Sequence, residues 1–153
     1  MSAIRRAGPS DLEHLLLLAA EFAAVDGHSF ERERVAEALR PLLVDDEYGE
    51  VWLTESEDGP DGYAVLVWGY SIESGGRDAL LDEIFVRETG TGAGSRMLGL
   101  MIDSVRKQGM SVMFLETERR NEAARRLYRR HGFVEEDSIW MTLDLSRSTS
   151  ATT

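Results

Sequence analysis

The segment Val86-Arg87-Glu88-Thr89-Gly90-Thr91-Gly92-Ala93-Gly94-Ser95 carries three glycines at alternate positions, after a strand-like run and before a helix-like one. Glycine lets a backbone approach a ligand closely, and the first turn of a helix has N–H groups without intrahelical partners. Such a loop suits an anion, phosphate above all. Two common nucleotide loops are excluded by spacing. No Gly-Lys-Ser/Thr follows, as a Walker A loop requires, and Ser95 and Met97 stand where a dinucleotide fingerprint starting at Gly90 or Gly92 would need its last glycine. Taken alone, the loop reads either as a phosphate cradle or as a flexible connection without a ligand. A second segment with chemical content is Asn121-Glu122-Ala123-Ala124-Arg125-Arg126-Leu127-Tyr128-Arg129-Arg130-His131-Gly132-Phe133. Asn121, Ala124 and Tyr128 recur at i, i+3 and i+7, so a helix here carries an amide, a small residue and a phenol along one face where a ligand can lie.

These segments need elements to position them. Ala3 to Arg6 reads as a strand, and Ser10 with Glu13 forms a capping-box signature that predicts a helix from there to the turn at Asp26-Gly27. A second amphipathic stretch, Phe30 to Val44, places Val35, Ala38, Leu39, Leu42 and Leu43 on one side, with Pro41 predicting a kink or break. From Glu50 the period changes. Val51 to Thr54 and Gly62 to Ile72 are rich in β-branched and aromatic residues and flank the turn-rich run 58–62, which predicts a hairpin. A third strand, Ala79 to Val86, leads into the glycine loop and a helix from about Ser95 to Arg106. Ser111 to Glu116 then reads as a buried strand, Asn121 to His131 as a helix, and Phe133 to Leu145 as one or two final strands. The strand, helix, strand unit in the middle predicts a crossover between parallel strands.

The 153 residues include 42% hydrophobic and 29% charged residues and no cysteine, which fits one mixed α/β domain over 1–145 followed by a polar tail, 146–153. A disulfide scaffold, a thiolate metal site and a cysteine nucleophile are excluded. Three scattered histidines without paired spacing predict no metal. A net charge of −11 repels phosphate backbones, so no nucleic-acid partner is expected. The apolar run Leu15 to Ala20 is too short to span a membrane, and a cytoplasmic protein without a membrane partner is the expectation.

Val86 to Leu98 and Asn121 to Phe133 together resemble the two signature motifs of the GNAT superfamily of N-acetyltransferases. The second motif reads Asn, two residues, Ala, two residues, Leu-Tyr, three residues, Gly-Phe, and the match is complete. The element order resembles the family from Ile4-Arg5 to Met141-Thr142-Leu143. The resemblance implies an α/β fold whose central mixed, mostly antiparallel sheet is flanked by helices. It also implies acetyl-coenzyme A as co-substrate and no metal. The pyrophosphate would lie on the backbone of Thr89, Gly90, Thr91, Gly92, Ala93, Gly94 and Ser95, with the pantetheine arm beside the strand end Phe85-Val86 and near Asn121 and Ala124. Tyr128 becomes the general acid for the departing thiolate, and a phenol of pKa about 10 is protonated at neutral pH as that role needs. The other reading of Tyr128 is core packing with its hydroxyl bonded to backbone. The loop departs from the family pattern: Thr89 stands where Gln or Arg is usual, and two residues are missing before it. Either a reshaped strand end or weaker diphosphate binding is expected. Arg87, Arg96 and the six arginines between 119 and 130 offer compensating charge, or form a solvated helix face.

Acyl transfer to an amine requires a neutral amine, so a carboxylate or histidine must take a proton from an ammonium of pKa about 10.4. Members of the resembling family often carry an acid on the third strand, where Asp82 and Glu83 are the candidates and Glu83 is preferred. Strict alternation puts Glu83 on the face of Leu81 and Phe85 and Asp82 on the opposite one. Either acid alternatively faces solvent or bonds a neighbour such as Arg77. His28 is a second-rank candidate; His14 and His131 read as structural. The run Asp45 to Asp61 holds eight acids and no Lys or Arg. It reads as a solubilising surface, or in part as an acceptor cleft that attracts a cation. The predicted reaction is direct attack of a small-molecule or peptide amine in a ternary complex. The rival readings are a noncatalytic acyl-coenzyme A-binding or regulatory domain and an enzyme acting only on a protein partner. Homodimers are common in the resembling family; the sequence assigns no apolar patch to one, and Phe133 to Leu145, with Trp140 and Met141, is the place to look for it.

Overall fold

The computed structural model describes residues 3–146. Its strands are β1 (Ala3–Arg6), β2 (Gly49–Ser56), β3 (Gly59–Ser71), β4 (Gly76–Val86) and β5 (Met113–Leu115), and its helices α1 (Leu12–Asp26), α2 (Arg32–Val44), α3 (Ala93–Lys107) and α4 (Glu122–Arg130). The strands form one sheet in the order β1-β2-β3-β4-β5. All neighbours are antiparallel except β4 and β5, which are parallel, as the crossover through α3 requires.

Alternation along β3 builds two cores. Tyr63 and Val65 point into a cluster with Leu15, Leu18, Leu39 and Leu43 of α1 and α2. Ala64 and Leu66 point the other way, into Met97, Leu98 and Met101 of α3 and Tyr128 of α4. The sheet is therefore covered by α1 and α2 on one face and by α3 and α4 on the other. Among the described residues no helix is long and apolar enough to cross a membrane.

Several sequence expectations are corrected. Ser10 does not cap α1, because Pro9–Asp11 forms a 3-10 turn that moves the helix start to Leu12. The Asp11 carboxylate instead accepts the Gly8 N–H at 2.8 Å and a two-pronged bond from Arg5 at 2.8 and 2.9 Å, tying β1 to the helix start. Pro41 lies in the last turn of an unbroken α2. Along α2, Ala36, Leu39 and Leu43 are buried in the core, and Val35, Ala38 and Leu42 border a cavity that Leu39 also lines. No strand forms over Phe133 to Leu145. The run has strand composition, but it pairs with no strand among the described residues, and Val134, Ile139, Trp140, Met141, Leu143 and Leu145 are all exposed. The expected tail from 147 on lies outside the described residues.

Candidate active site

β4 and β5 are hydrogen-bonded neighbours only from Ala79 to Leu81. From Asp82 to Val86 one edge of β4 pairs with β3, and the other has no strand beside it among the described residues. An open edge presents main-chain N–H and C=O groups to any extended, amide-bearing molecule. Just past this edge comes the glycine loop. Gly90 and Gly92 both hold φ of 82°, which a side chain would strain, and Gly92 is the residue from which α3 starts. The first α-helical bond runs from Arg96 N–H to the Gly92 carbonyl at 3.0 Å, so the Gly94 and Ser95 amides precede it and have no intrahelical acceptor. A Cβ on Gly94 would meet the Val86 methyls at 3.9 and 4.0 Å, so the helix start rests directly on the strand end. Thr89, Gly90 and Thr91 are exposed, and Ala93 is buried.

The two candidate acids are closer in role than alternation predicts. β3 pairs Val65 with Glu83 and Leu66 with Leu81, leaving Asp82 as the extra residue of a β-bulge. The bulge cancels the alternation, and Asp82 and Glu83 both line one cavity of about 330 Å³ on the α2 side of the sheet, with Val65, Val35, Ala38 and Leu42. Tyr63 donates its hydroxyl to Glu83 Oε1 at 2.8 Å. Burial raises the Glu83 pKa and the nearby Asp82 adds to this, while the Tyr63 hydrogen bond opposes it. Asp82 is more open to solvent, yet the protein crowded around it raises its pKa as well. Burial and Glu83 together hold the Tyr63 phenol protonated. Sequence reading missed Tyr63, because its link to Glu83 is set by strand register; the faint signal was a tyrosine in the strand that precedes the acidic one. Phe85 stacks on Phe22 at 5.5 Å and lies 6.3 Å from Tyr63, so its ring faces the α1 core and only its backbone belongs to the open edge.

On the opposite face, Tyr128 is 9% exposed and its ring meets Phe133 edge-on at 5.9 Å. No group among the described residues hydrogen-bonds its hydroxyl, so the packing alternative, a phenol tied to backbone, is not what the structure contains. Burial raises its pKa, which favours the protonated form. Asn121 caps α4 by accepting the Ala124 N–H at 3.2 Å, which leaves its amide NH₂ as donor. Ala124 is half-buried at the start of the same helix. Ser95 and His131 share a 2.8 Å hydrogen bond that joins the start of α3 to the end of α4, holding the two motifs together.

Other candidates lie elsewhere. His28 is exposed, 3.3 Å from Asp26, and does not line the cavity. Arg77 lies over the Trp68 ring at 5.4 Å, which removes it as a partner of the strand acids. Arg87 pairs with Glu21 at 2.6 Å, and Arg125 and Arg129 both hold Glu135. Four of the eight acids of the run Asp45 to Asp61 are taken up in structure, and Asp45, Glu47, Glu57 and Asp58 are exposed. Asp46 pairs with Arg6, Glu55 with Arg5, and Asp61 with Thr54. Glu50, 1% exposed, is satisfied by Arg6, Trp52, Ser104 and Gln108. Among the described residues no three His, Asp or Glu are grouped to hold a metal.

The family model described as "Acetyltransferase (GNAT) family" matches residues 13–133, which spans the loop, the acidic strand and the whole of α4. The chain belongs to the GNAT acetyltransferase family. Among solved structures, this family member is similar to an integron cassette protein from the mobile metagenome of Cole Harbour Salt Marsh, at 28% identity and a TM-score of 0.84 over 93% of this chain and 90% of that one. It is similar also to a candidate acetyltransferase of Arthrobacter sp. FB24, at 27% identity and a TM-score of 0.81 over 95% and 97%. A Clostridium acetobutylicum protein predicted to be an acetyltransferase and solved with acetyl-CoA shares the fold, at 16% identity and a TM-score of 0.80 over 95% and 97%. A search among curated proteins finds no match.

Proposed function

We propose that the protein transfers the acetyl group of acetyl-coenzyme A to a primary amine by direct attack within a ternary complex. The observation that carries this reading is the arrangement around β4. Its open edge runs from Asp82 into an anion-suited glycine loop, and an acidic cavity lies on one face of the strand while the Tyr128 hydroxyl, without a partner among the described residues, lies in the helix layer on the other. The solved relative that carries acetyl-CoA, though distant, supports the choice of donor.

In this reading the amides from Thr89 to Ser95 receive the pyrophosphate. The open edge from Asp82 to Val86 pairs with the amide-bearing pantetheine arm, and Asn121 and Ala124 flank it. Bound there, acetyl-coenzyme A supplies an activated thioester. Glu83, with Asp82 beside it, takes the proton of the acceptor ammonium. The freed nitrogen lone pair forms the new C–N bond as the C–S bond breaks, and Tyr128 gives its proton to the departing sulfur; the acylated nitrogen then sheds its second proton to solvent, from which Tyr128 is reprotonated. The cytoplasm, where acyl-coenzyme A pools are held, is the compartment this reading assigns. Calorimetric titration of the full chain with acetyl-coenzyme A is expected to give micromolar affinity, on the order of −8 kcal/mol. Desulfo-coenzyme A should bind comparably, and an absence of binding to both would overturn the proposal.

We assign the exposed arm after Phe133 to pairing of two copies. β5 is the last strand of the sheet, and six large apolar side chains of the arm lie in solvent. A second copy offers the same arm and the same strand edge, so the exchange closes on itself with two-fold symmetry. Sedimentation is expected to show a dimer that Trp140→Asp dissociates; a monomer at tens of micromolar would refute it.

A further inference from the structure

We infer that the acceptor is a compact monoamine with an apolar body, an inference that rests on the acetyl-transfer reading and narrows its substrate class. The cavity that holds Asp82 and Glu83 has two unlike walls. The sheet wall carries both carboxylates, brought side by side by the bulge at Asp82. The facing wall is α2, where Val35, Ala38 and Leu42 recur at i, i+3 and i+7 and the buried Leu39 lies among them. At about 330 Å³ the cavity lies at the small end of ligand sites, roughly 300–1,000 Å³. Its size fits a small molecule more closely than a folded protein surface.

Charge placement narrows the class further. Besides the acidic pair, the charged groups lining the cavity are Glu31 and Arg34, one of each sign and both exposed at the rim. Arg34 is also felt electrostatically by Asp144 of the arm. The acids of the 45–61 run, which a polycation would need as further anchors, line no part of the cavity. One ammonium therefore finds two carboxylates, whereas a second, a few carbons away along Val35, Ala38 and Leu42, loses its water without a partner there, since the remaining acid, Glu31, stands at the exposed rim with Arg34. An alkyl or aryl-alkyl body in the same place gains by leaving water. The seven-residue span from Val35 to Leu42 rises about 10 Å along the helix, room for such a body lying lengthwise.

The test is initial-rate acetylation by the full-length protein of 2-phenylethylamine and isoamylamine against ethanolamine, putrescine and spermidine. The apolar monoamines are expected to show at least tenfold higher kcat/KM. Ala38→Glu adds a carboxylate to the helix wall at an exposed position. It is expected to lower kcat/KM for 2-phenylethylamine at least tenfold, to raise it for putrescine, and to leave acetyl-coenzyme A affinity unchanged. Equal or better rates with the polar amine or the polyamines in the unaltered protein would overturn the inference while leaving the transfer reading standing. If no amine is acetylated, the transfer reading falls. Calorimetric binding of the same amines then decides the cavity's preference: tighter binding of the apolar monoamines, reversed by Ala38→Glu, upholds it, and any other order refutes it.

Discussion

Tyr128→Phe is expected to lower kcat by roughly a hundredfold to ten-thousandfold, the usual range for loss of a general acid, with acetyl-coenzyme A affinity held within about twofold. The reasoning starts from what the substitution leaves alone. The ring keeps its edge-on contact with Phe133 and its place among Met97, Leu98 and Met101, so neither the core nor the course of α4 changes. The lost atom is a hydroxyl that makes no hydrogen bond to the described residues, so its removal leaves no group of the protein unsatisfied. Burial that holds the phenol protonated also means that the wild-type residue carries a proton throughout the neutral range. Without it, the sulfur must leave as a bare thiolate or find a proton in water. The expected signature is a kcat loss with little change in either KM, since the interaction exists only as the C–S bond breaks. Unchanged turnover would reduce Tyr128 to a packing residue.

The two motifs that carry this argument were legible in the sequence because their physics is local. Gly90 and Gly92 adopt left-handed backbone in the loop itself, and Asn121 caps the helix it begins, so neither depends on distant partners. The acidic pair was legible only as two residues. That Asp82 and Glu83 share one cavity follows from a bulge, and the bulge follows from the register of β4 against β3, which no window of sequence around residue 82 contains. Tyr63 was hidden for the same reason, standing 20 residues from the carboxylate it bonds. Which residues of α2 border the cavity also needed the sheet in place, because the helical period marks Val35, Leu39, Leu42 and Leu43 alike as apolar. The arm after Phe133 shows the opposite failure. Ile139, Trp140, Met141 and Leu143 have the composition of a strand, but a strand is a relation between neighbours, and the run pairs with none among the described residues.

The acidic pair leads to the second large effect. Glu83→Gln is expected to reduce kcat/KM for an amine about a hundredfold at neutral pH, with a deficit that shrinks as pH approaches the amine's own pKa near 10.4, where solvent has already removed the proton. In the unaltered protein the base acts only when ionised, so the rate falls as pH drops through the carboxyl's titration. Burial and Asp82 place that titration above the ordinary glutamate range. Asp82 and Glu83 titrate together, so the profile reports the pair. Tyr63→Phe removes the hydrogen bond that favours the carboxylate, and its acidic limb is expected to move to higher pH with the plateau rate largely kept. A uniform loss at every pH would instead mark Tyr63 as merely structural. Stability separates catalysis from folding here. An acid whose pKa is higher folded than unfolded contributes stability at low pH that is lost as pH rises through the unfolded and then the folded value. At neutral pH ionised Glu83 therefore costs the fold something, and Gln, still able to accept from Tyr63, relieves it. Glu83→Gln should melt at the same temperature or higher, so its lost turnover would point to the missing base. A lowered melting temperature would show that the carboxylate supports the fold and would withdraw it as the base.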